Sequence, residues 1–232
     1  MAVKSQGKLP VVVLIGGGSK LPALIDASKN PKSNFKISLI VSHKKFSPGI
    51  DLALRNKIPA VFFNLPDYRT RLFNGSDKAR TSYSEALGWF ISQKEYLPKL
   101  LVFAGWDLIM GNNFFKFFKS TLGNGYAAIN LHPALMPIKP EKDKITLPDK
   151  SEIPVIKGEQ QEVLEAVLQE KHTYFGPSVH FMNPKNYDDG EVILREFIPV
   201  GNTKTVKELQ EKLMPVEDKI LTQAIEEVLN SL

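Results

Sequence analysis

Asn130 and His132 are the first residues of this chain whose types and spacing suggest chemistry. The apolar run at residues 126–129 predicts a strand, and both polar side chains follow at its carboxyl end. Side chains two apart on an extended chain point the same way, and Pro133 biases His132 away from helical dihedral angles. An amide and an imidazole facing one point suit oxyanion stabilisation and proton transfer. A strand end capped by polar turn residues explains these two residues equally well.

A second candidate is the acidic turn Asp188-Asp189-Gly190, which follows His180. Adjacent carboxylates point in different directions, so we expect only one of them to enter a site. The alternative is an ordinary turn, where aspartate is common. A carboxylate beside His132 would hold the imidazole in its charged form. Because the motif contains no serine or cysteine nucleophile, an Asn/His/Asp site fits direct transfer to an external nucleophile better than covalent catalysis.

The glycine-rich segment at residues 16–20, Gly-Gly-Gly-Ser-Lys, lies between a predicted strand and a predicted helix. Backbone amides and a helix N-terminus form an anion site at such a junction. The spacing fits neither a dinucleotide fingerprint, which needs glycine at Leu21, nor a Walker motif. A tight turn is the alternative, but Lys20 favours phosphate binding. Arg80 and Glu217, taken alone, are expected to be surface residues.

Composition limits the classes of function. The 232 residues are 43% hydrophobic and 24% charged, as in ordinary soluble proteins. There is no cysteine, and the four histidines form no close-spaced pair, so no metal site is expected. The net charge of +5 suits anionic small molecules, and no arginine-rich run interleaved with aromatics indicates nucleic acid. No segment resembles a membrane span or a signal peptide, which predicts a cytoplasmic protein.

Strands alternate with amphipathic helices over the first 130 residues, which predicts an α/β fold with a doubly wound, mostly parallel sheet in three αβα layers. Residues 137–154 carry four prolines and little periodicity, so a long surface excursion is expected. The final helix, predicted over residues 206–229, contains Pro215, which should kink or split it. No linker is visible, and a single domain over residues 1–232 is expected.

The sequence Asn130-Leu131-His132-Pro133-Ala134-Leu135 resembles the Asn-x-His-Pro-Ser/Ala-Leu signature of the formyltetrahydrofolate-dependent formyltransferases. The stretch Gly-Pro-Ser-Val-His-Phe at residues 176–181, followed by Asp-Asp-Gly at 188–190, is similar to that family's second block. The similarity runs from about residue 11 to residue 229. It is strongest to the group, of fungal or other eukaryotic type, that formylates glycinamide ribonucleotide in de novo purine synthesis. It implies a Rossmann-like fold with a phosphate-binding half (about 1–125) and a catalytic, folate-binding half (about 126–232).

The resemblance also implies roles for individual residues. Asn130 and His132 would stabilise the tetrahedral oxyanion, and Asp188 would keep His132 protonated. The substrate phosphate would meet Gly17, Gly18, Ser19 and Lys20, with Arg80 nearby, while Glu217 would bind the glycinamide end. The co-substrate would be 10-formyltetrahydrofolate, without a metal, enclosed by Leu108, Ile109, Met110, His180, Asn183 and Asp188. Both expected partners are small molecules, with neither nucleic acid nor membrane, and the protein is expected to be a monomer or weak homodimer.

Three departures from the family pattern are visible. The glycine loop is one residue shorter than usual, Lys20 stands where asparagine is typical, and Asp107 falls where an apolar residue is usual. They suggest one alternative, a catalytically impaired folate- or nucleotide-binding paralogue. A deformylase-like hydrolase would carry an additional N-terminal domain and a methionyl-tRNA formyltransferase a C-terminal one, so the length of the chain is expected to argue against both.

Overall fold

The computed structural model describes residues 7–76, 78–123, 125–139, 142–185 and 190–232. Its helices are α1 (Leu21–Lys29), α2 (Pro48–Arg55), α3 (Leu65–Phe73), α4 (Ala79–Ile91), α5 (Asn112–Phe115), α6 (Gln160–Gln169) and α7 (Val206–Asn230). Its strands are β1 (Leu9–Ile15), β2 (Phe35–Ser42), β3 (Ala60–Phe62), β4 (Leu100–Ala104), β5 (Ala128–His132), β6 (Lys144–Thr146), β7 (Glu152–Pro154), β8 (Tyr174–Phe175), β9 (Ser178–Phe181), β10 (Val192–Arg195) and β11 (Ile198–Pro199).

Seven strands form the central sheet in the order β10-β9-β5-β4-β1-β2-β3. The five strands from β3 to β5 are mutually parallel, and helical segments connect each of them to the next along the chain. β9 pairs antiparallel with β5, and β10 pairs antiparallel with β9. The predicted doubly wound, mostly parallel sheet is therefore confirmed.

Both faces of the sheet are buried, as the almost entirely apolar sequence of β1 requires. Alternate residues Val11, Val13 and Ile15 pack in a core with α1 and α7. Val12 and Leu14 pack in a second core with α4 and α5 on the opposite face. Period-two alternation of a strand buried on both sides thus produces the three αβα layers.

Some elements differ from the sequence-based expectation. The excursion at residues 137–154 contains a hairpin, in which Ile145 of β6 pairs with Ile153 of β7 and both side chains are buried. The strand predicted over residues 192–200 is two short strands, β10 and β11. α3 was not predicted, and it buries no residue completely, although Leu65 and Tyr68 pack on the second core. No helix in the described ranges is long and apolar enough to cross a bilayer.

The prediction was a kink or a split at Pro215; α7 continues through this residue as one helix, so the split does not occur. Proline has no N–H to donate to the carbonyl of Glu211, so one helical hydrogen bond is lost there. Buried residues on both sides, including Leu213 and Ile220, hold the two halves against the core. Tertiary packing therefore outweighs the local cost of the proline.

The first turn of α7 is capped by Thr205, whose Oγ1 accepts a hydrogen bond from the N–H of Glu208 at 3.3 Å. Glu208 Oε2 accepts in return from the N–H of Thr205 at 3.2 Å. We expect Thr205→Ala to lower the free energy of unfolding by about 1 kcal/mol, because the capping acceptor is lost. Urea denaturation measures this value. Thr222→Ala in the middle of the same helix is the control and should cost less; an equal loss in both variants would contradict the cap.

Candidate active site

The carboxyl end of β5 carries Asn130 and His132. β5 lies inside the sheet, between β4 and β9, and all of its residues are buried. Asn130 is 9% exposed and His132 is 5% exposed, and both line the same cavity. Because the strand extends through both residues, their side chains share a face. The structure thus brings together the amide and the imidazole that the sequence singled out.

The Asn130 amide is held by His180, the residue opposite it on β9. Asn130 Nδ2 lies 3.2 Å from His180 Nε2, and His180 Nδ1 lies 3.0 Å from the carbonyl oxygen of Phe181. Since a carbonyl only accepts, Nδ1 carries the proton and Nε2 accepts from the Asn130 amide. His180 is fully buried. The sequence predicts a folate contact for His180, whereas the structure places its ring against Asn130.

The glycine loop is hydrogen-bonded to the segment that runs from the end of β2 to the first turn of α2. Ser42 Oγ and Ser47 Oγ each donate to the carbonyl of Gly16 at 2.8 Å. The N–H of Gly49 donates to the carbonyl of Gly17 at 3.0 Å. Gly18 has φ = 92°, and a Cβ on it would lie 2.8 Å from Gly49 Cα. The loop therefore requires glycine at this position both for its backbone conformation and for its close approach to α2.

Lys20 and Glu217 both line the cavity and form a buried ion pair. Lys20 Nζ lies 2.5 Å from Glu217 Oε2 and 3.5 Å from Asp218 Oδ1. Gln160 Nε2 donates to Glu217 Oε1 at 3.2 Å. Glu217 is only 2% exposed, so the expectation of a surface carboxylate is wrong. Burial raises the pKa of Glu217, and the charge of Lys20 opposes that shift.

The cavity has a volume of about 520 Å³ and lies beyond the carboxyl ends of β1, β4 and β5. It collects residues from both halves of the chain, namely Ser19, Lys20, Gly105, Trp106, Asp107, Ile109, Asn130, Leu131, His132, Pro133, Gly158, Glu159, Gln160, Glu162 and Glu217. Within the described ranges, no group of three or more His, Asp or Glu side chains is arranged to hold a metal ion. The lining suits a polar organic substrate that meets an amide, an imidazole and a carboxylate at once.

Asp107 lines this cavity and takes part in an ion-pair network. Its Oδ1 lies 2.9 Å from His43 Nε2, and its Oδ2 lies 2.8 Å from Lys44 Nζ. The edge of Trp106 packs on the His43 ring at a centroid distance of 4.7 Å. Burial lowers the pKa of His43, against the opposing charge of Asp107. Lys44, which follows β2, thus supplies the counter-charge of this unusual acid, and His43 contacts its second oxygen.

Arg80 was predicted to lie near the substrate phosphate, and Ile109 and Met110 near the folate. Arg80 is exposed on α4 and lines neither the cavity of Lys20 nor the cavity of about 590 Å³ beside Gly17, Gly18 and Ser19. Ile109 is 60% exposed and borders the cavity, whereas the neighbouring side chain of Met110 is fully buried.

Three other residues, Leu108, Asn183 and Asp188, were also predicted to contact the folate. Leu108 is half-buried between Asp107 and Ile109. Asn183 is half-buried, and its Oδ1 accepts from the N–H of Lys185 at 3.1 Å. Asp188 lies outside the described residues, so its role stays a prediction.

Sequence reasoning missed Trp106, Glu159, Gln160 and Glu162 as cavity residues. Trp106 could have been found, because it is the second residue after β4, and the carboxyl ends of neighbouring parallel strands meet at one edge. The three residues at the start of α6 gave no comparable signal. Their position depends on how α6 packs on α7.

Gly18→Ala is expected to lower the free energy of unfolding by about 1–3 kcal/mol, because alanine is strained at a positive φ and its Cβ would collide with Gly49. Gly17→Ala is the matched control, since a Cβ there meets nothing within 4 Å. We expect this control to stay within about 0.5 kcal/mol of the original chain in urea denaturation. Equal effects in the two variants would contradict the described loop conformation.

The chain is similar in sequence to proteins whose names refer to purine biosynthesis or to the formylation of phosphoribosylglycinamide. Phosphoribosylglycinamide formyltransferase of Schizosaccharomyces pombe is 28% identical over 221 residues, covering 94% of this chain and 96% of that protein. The human trifunctional purine biosynthetic protein adenosine-3 is 28% identical over 220 residues, and the match covers 94% of this chain. This chain spans only 18% of the length of the human protein.

Solved structures share the fold. Glycinamide ribonucleotide transformylase 1 from Symbiobacterium toebii superposes with a TM-score of 0.74 at 21% identity, covering 97% of this chain and 90% of that one. The enzyme of the same name from Geobacillus kaustophilus gives 0.71 at 19% identity, covering 97% and 100%. The formyl transferase family profile matches residues 9–225. With nearly its whole length matched, this chain belongs to the formyl transferase family.

Proposed function

We propose that this protein transfers the formyl group of 10-formyltetrahydrofolate to the amine of glycinamide ribonucleotide, a step of purine biosynthesis. The observation that carries the proposal is the position of Asn130 and His132 side by side on one cavity wall, with Glu217 lining the same cavity. The names of the relatives and the similarity of the sequence blocks add support.

In the proposed reaction the neutral amine attacks the formyl carbon, and the carbonyl electron pair moves onto oxygen. The tetrahedral intermediate then collapses, the bond from carbon to N10 of the folate breaks, and the proton of the amine passes to N10. Asn130 and His132 donate to the oxyanion, where a fixed dipole in a buried site is most effective. His180 occupies one N–H of the Asn130 amide, which leaves the second N–H for the substrate.

The other residues around the cavity bind the two substrates. Glu217 binds the glycinamide end, and the glycine loop at Gly17, Gly18 and Ser19 binds the phosphate at the start of α1. Ile109 and the adjoining backbone of Leu108 and Met110 enclose the pterin with Asn183. Asp188 keeps its predicted place beside His132 on sequence grounds alone. The cavity lies between the half that binds phosphate and the half that binds folate.

An assay with both substrates tests the proposal. Wild-type protein should produce formylated glycinamide ribonucleotide together with tetrahydrofolate. His132→Ala should lose about 10²–10⁴-fold in kcat, because the proton-transfer group is removed. Asn130→Ala should lose about 10²–10³-fold, the cost of removing one oxyanion donor.

Asn202→Ala is the matched control, since it deletes the same amide at an exposed turn outside the cavity. It should retain full activity. Wild-type protein that makes no formylated product, or a His132→Ala variant with full activity, would overturn the proposal. Release of formate without transfer to the amine would indicate a hydrolase instead.

A further inference from the structure

The loop residue Lys20 and the helix residue Glu217 form a pair that is almost completely removed from solvent. Lys20 is 6% exposed and Glu217 is 2% exposed, with Nζ and Oε2 2.5 Å apart. The second oxygen of Glu217 accepts from Gln160, whose own amide oxygen accepts from Gln210 Nε2 at 3.1 Å. Glu217 Oε1 therefore has a hydrogen-bond donor in Gln160, and Oε2 is held by the ammonium of Lys20 in an ion pair, so each oxygen has a partner that constrains the carboxylate.

We propose that Lys20 is a positioning residue that orients the Glu217 carboxylate and supplies its counter-charge, and that it is not a ligand of the substrate phosphate. The inference rests on the proposed function, in which Glu217 binds the glycinamide end. It reassigns the one loop residue that departs from the pattern of the family, where asparagine is typical. An uncharged asparagine would leave the buried carboxylate without a counter-ion.

The position of Lys20 argues against a phosphate contact. The loop residues Gly17, Gly18 and Ser19 border a second cavity together with Arg55, and Lys20 does not line that cavity. To reach a phosphate there, the ammonium would have to leave Glu217. Leaving one member of a buried ion pair alone is strongly unfavourable.

The surroundings of Glu217 make this counter-charge necessary. The titratable groups beside Glu217 or lining its cavity are Lys20, Asp218, Glu159, Glu162, Asp107 and His132. Among the described lining residues, Lys20 is the only lysine or arginine. Burial already raises the pKa of Glu217, and the neighbouring Asp218 adds to the shift. Removing the lysine charge would raise this pKa further, because the ionised form alone loses a partner.

Titration of the Glu217 carboxyl carbon by NMR in the ligand-free protein tests the inference without any substrate. In Lys20→Met the midpoint should move to higher pH, by about one pH unit or more for a buried ion pair. Lys20→Arg keeps the charge and should retain most of the wild-type midpoint. Lys29→Met removes an equal charge from the exposed end of α1 and should leave the midpoint unchanged.

Kinetics give a second readout. On the acid side of the pH profile, kcat/KM for glycinamide ribonucleotide falls as Glu217 becomes protonated. In Lys20→Met the midpoint of this acid limb should move to higher pH, together with the NMR midpoint of Glu217. Below that limb, kcat/KM should fall about tenfold for each pH unit by which the limb moves, and it should recover at higher pH. An unmoved midpoint, accompanied by loss of competitive inhibition by inorganic phosphate, would overturn the inference and make Lys20 a phosphate ligand.

Stability measurements keep the test decisive if Lys20→Met folds poorly. The melting temperature of Lys20→Met/Glu217→Gln should lie above that of Lys20→Met, since no lone carboxylate remains buried. If the stability losses of Lys20→Met and Glu217→Gln simply add in the double variant, the two residues do not act as a pair, and the inference is contradicted. Wild-type protein without formylation activity would overturn the proposed function only, whereas an active enzyme with an unmoved Glu217 midpoint would overturn this inference only.

Discussion

Parallel hydrogen bonding between β1, β4 and β5 is the constraint on which the candidate site depends. Parallel strands must all end at the same edge, so the residues that follow them are brought together whatever their distance in sequence. The glycine loop follows β1, Trp106 and Asp107 follow β4, and His132 ends β5. The antiparallel strand β9 lies between β5 and the edge strand β10 and brings His180 opposite Asn130. One edge thereby receives groups for anion binding, proton transfer and amide donation.

The fold and the central pair of the site could be predicted because both depend on local pattern. Apolar runs buried on two faces identified the parallel strands, and the two-residue spacing of Asn130 and His132 is preserved in β5. Local pattern failed where tertiary packing decides. Pro215 is accommodated because buried residues on both sides hold α7 in place, and the hairpin of β6 and β7 is stabilised by contacts that a proline-rich, charged sequence does not indicate.

Charge pairing in the site could not be predicted for the same reason. Lys20 and Glu217 come from opposite ends of the chain, and each alone has an ordinary interpretation, as a phosphate ligand and as a surface acid. Only the packing of α7 against α1 makes them partners. Asp107 likewise looks incompatible with an apolar pocket until His43 and Lys44 are seen on its oxygens. The buried pair of Lys20 and Glu217 is tolerated because each charge has a partner, whereas the side chain of Asp107 is 39% exposed and keeps contact with solvent.

The contribution of α7 to the cavity has a consequence for biosynthesis. During translation the strands and the loop that carry Lys20, Asn130 and His132 leave the ribosome well before Glu217 does. Domains fold as their chains become available, and contacts distant in sequence form late. Until α7 is available, Lys20 therefore lacks both of its ion-pair partners, Glu217 and Asp218. The same helix supplies Ile220, Leu221 and Ala224 to the core that covers one face of the sheet, so the segment that completes the cavity also completes the core.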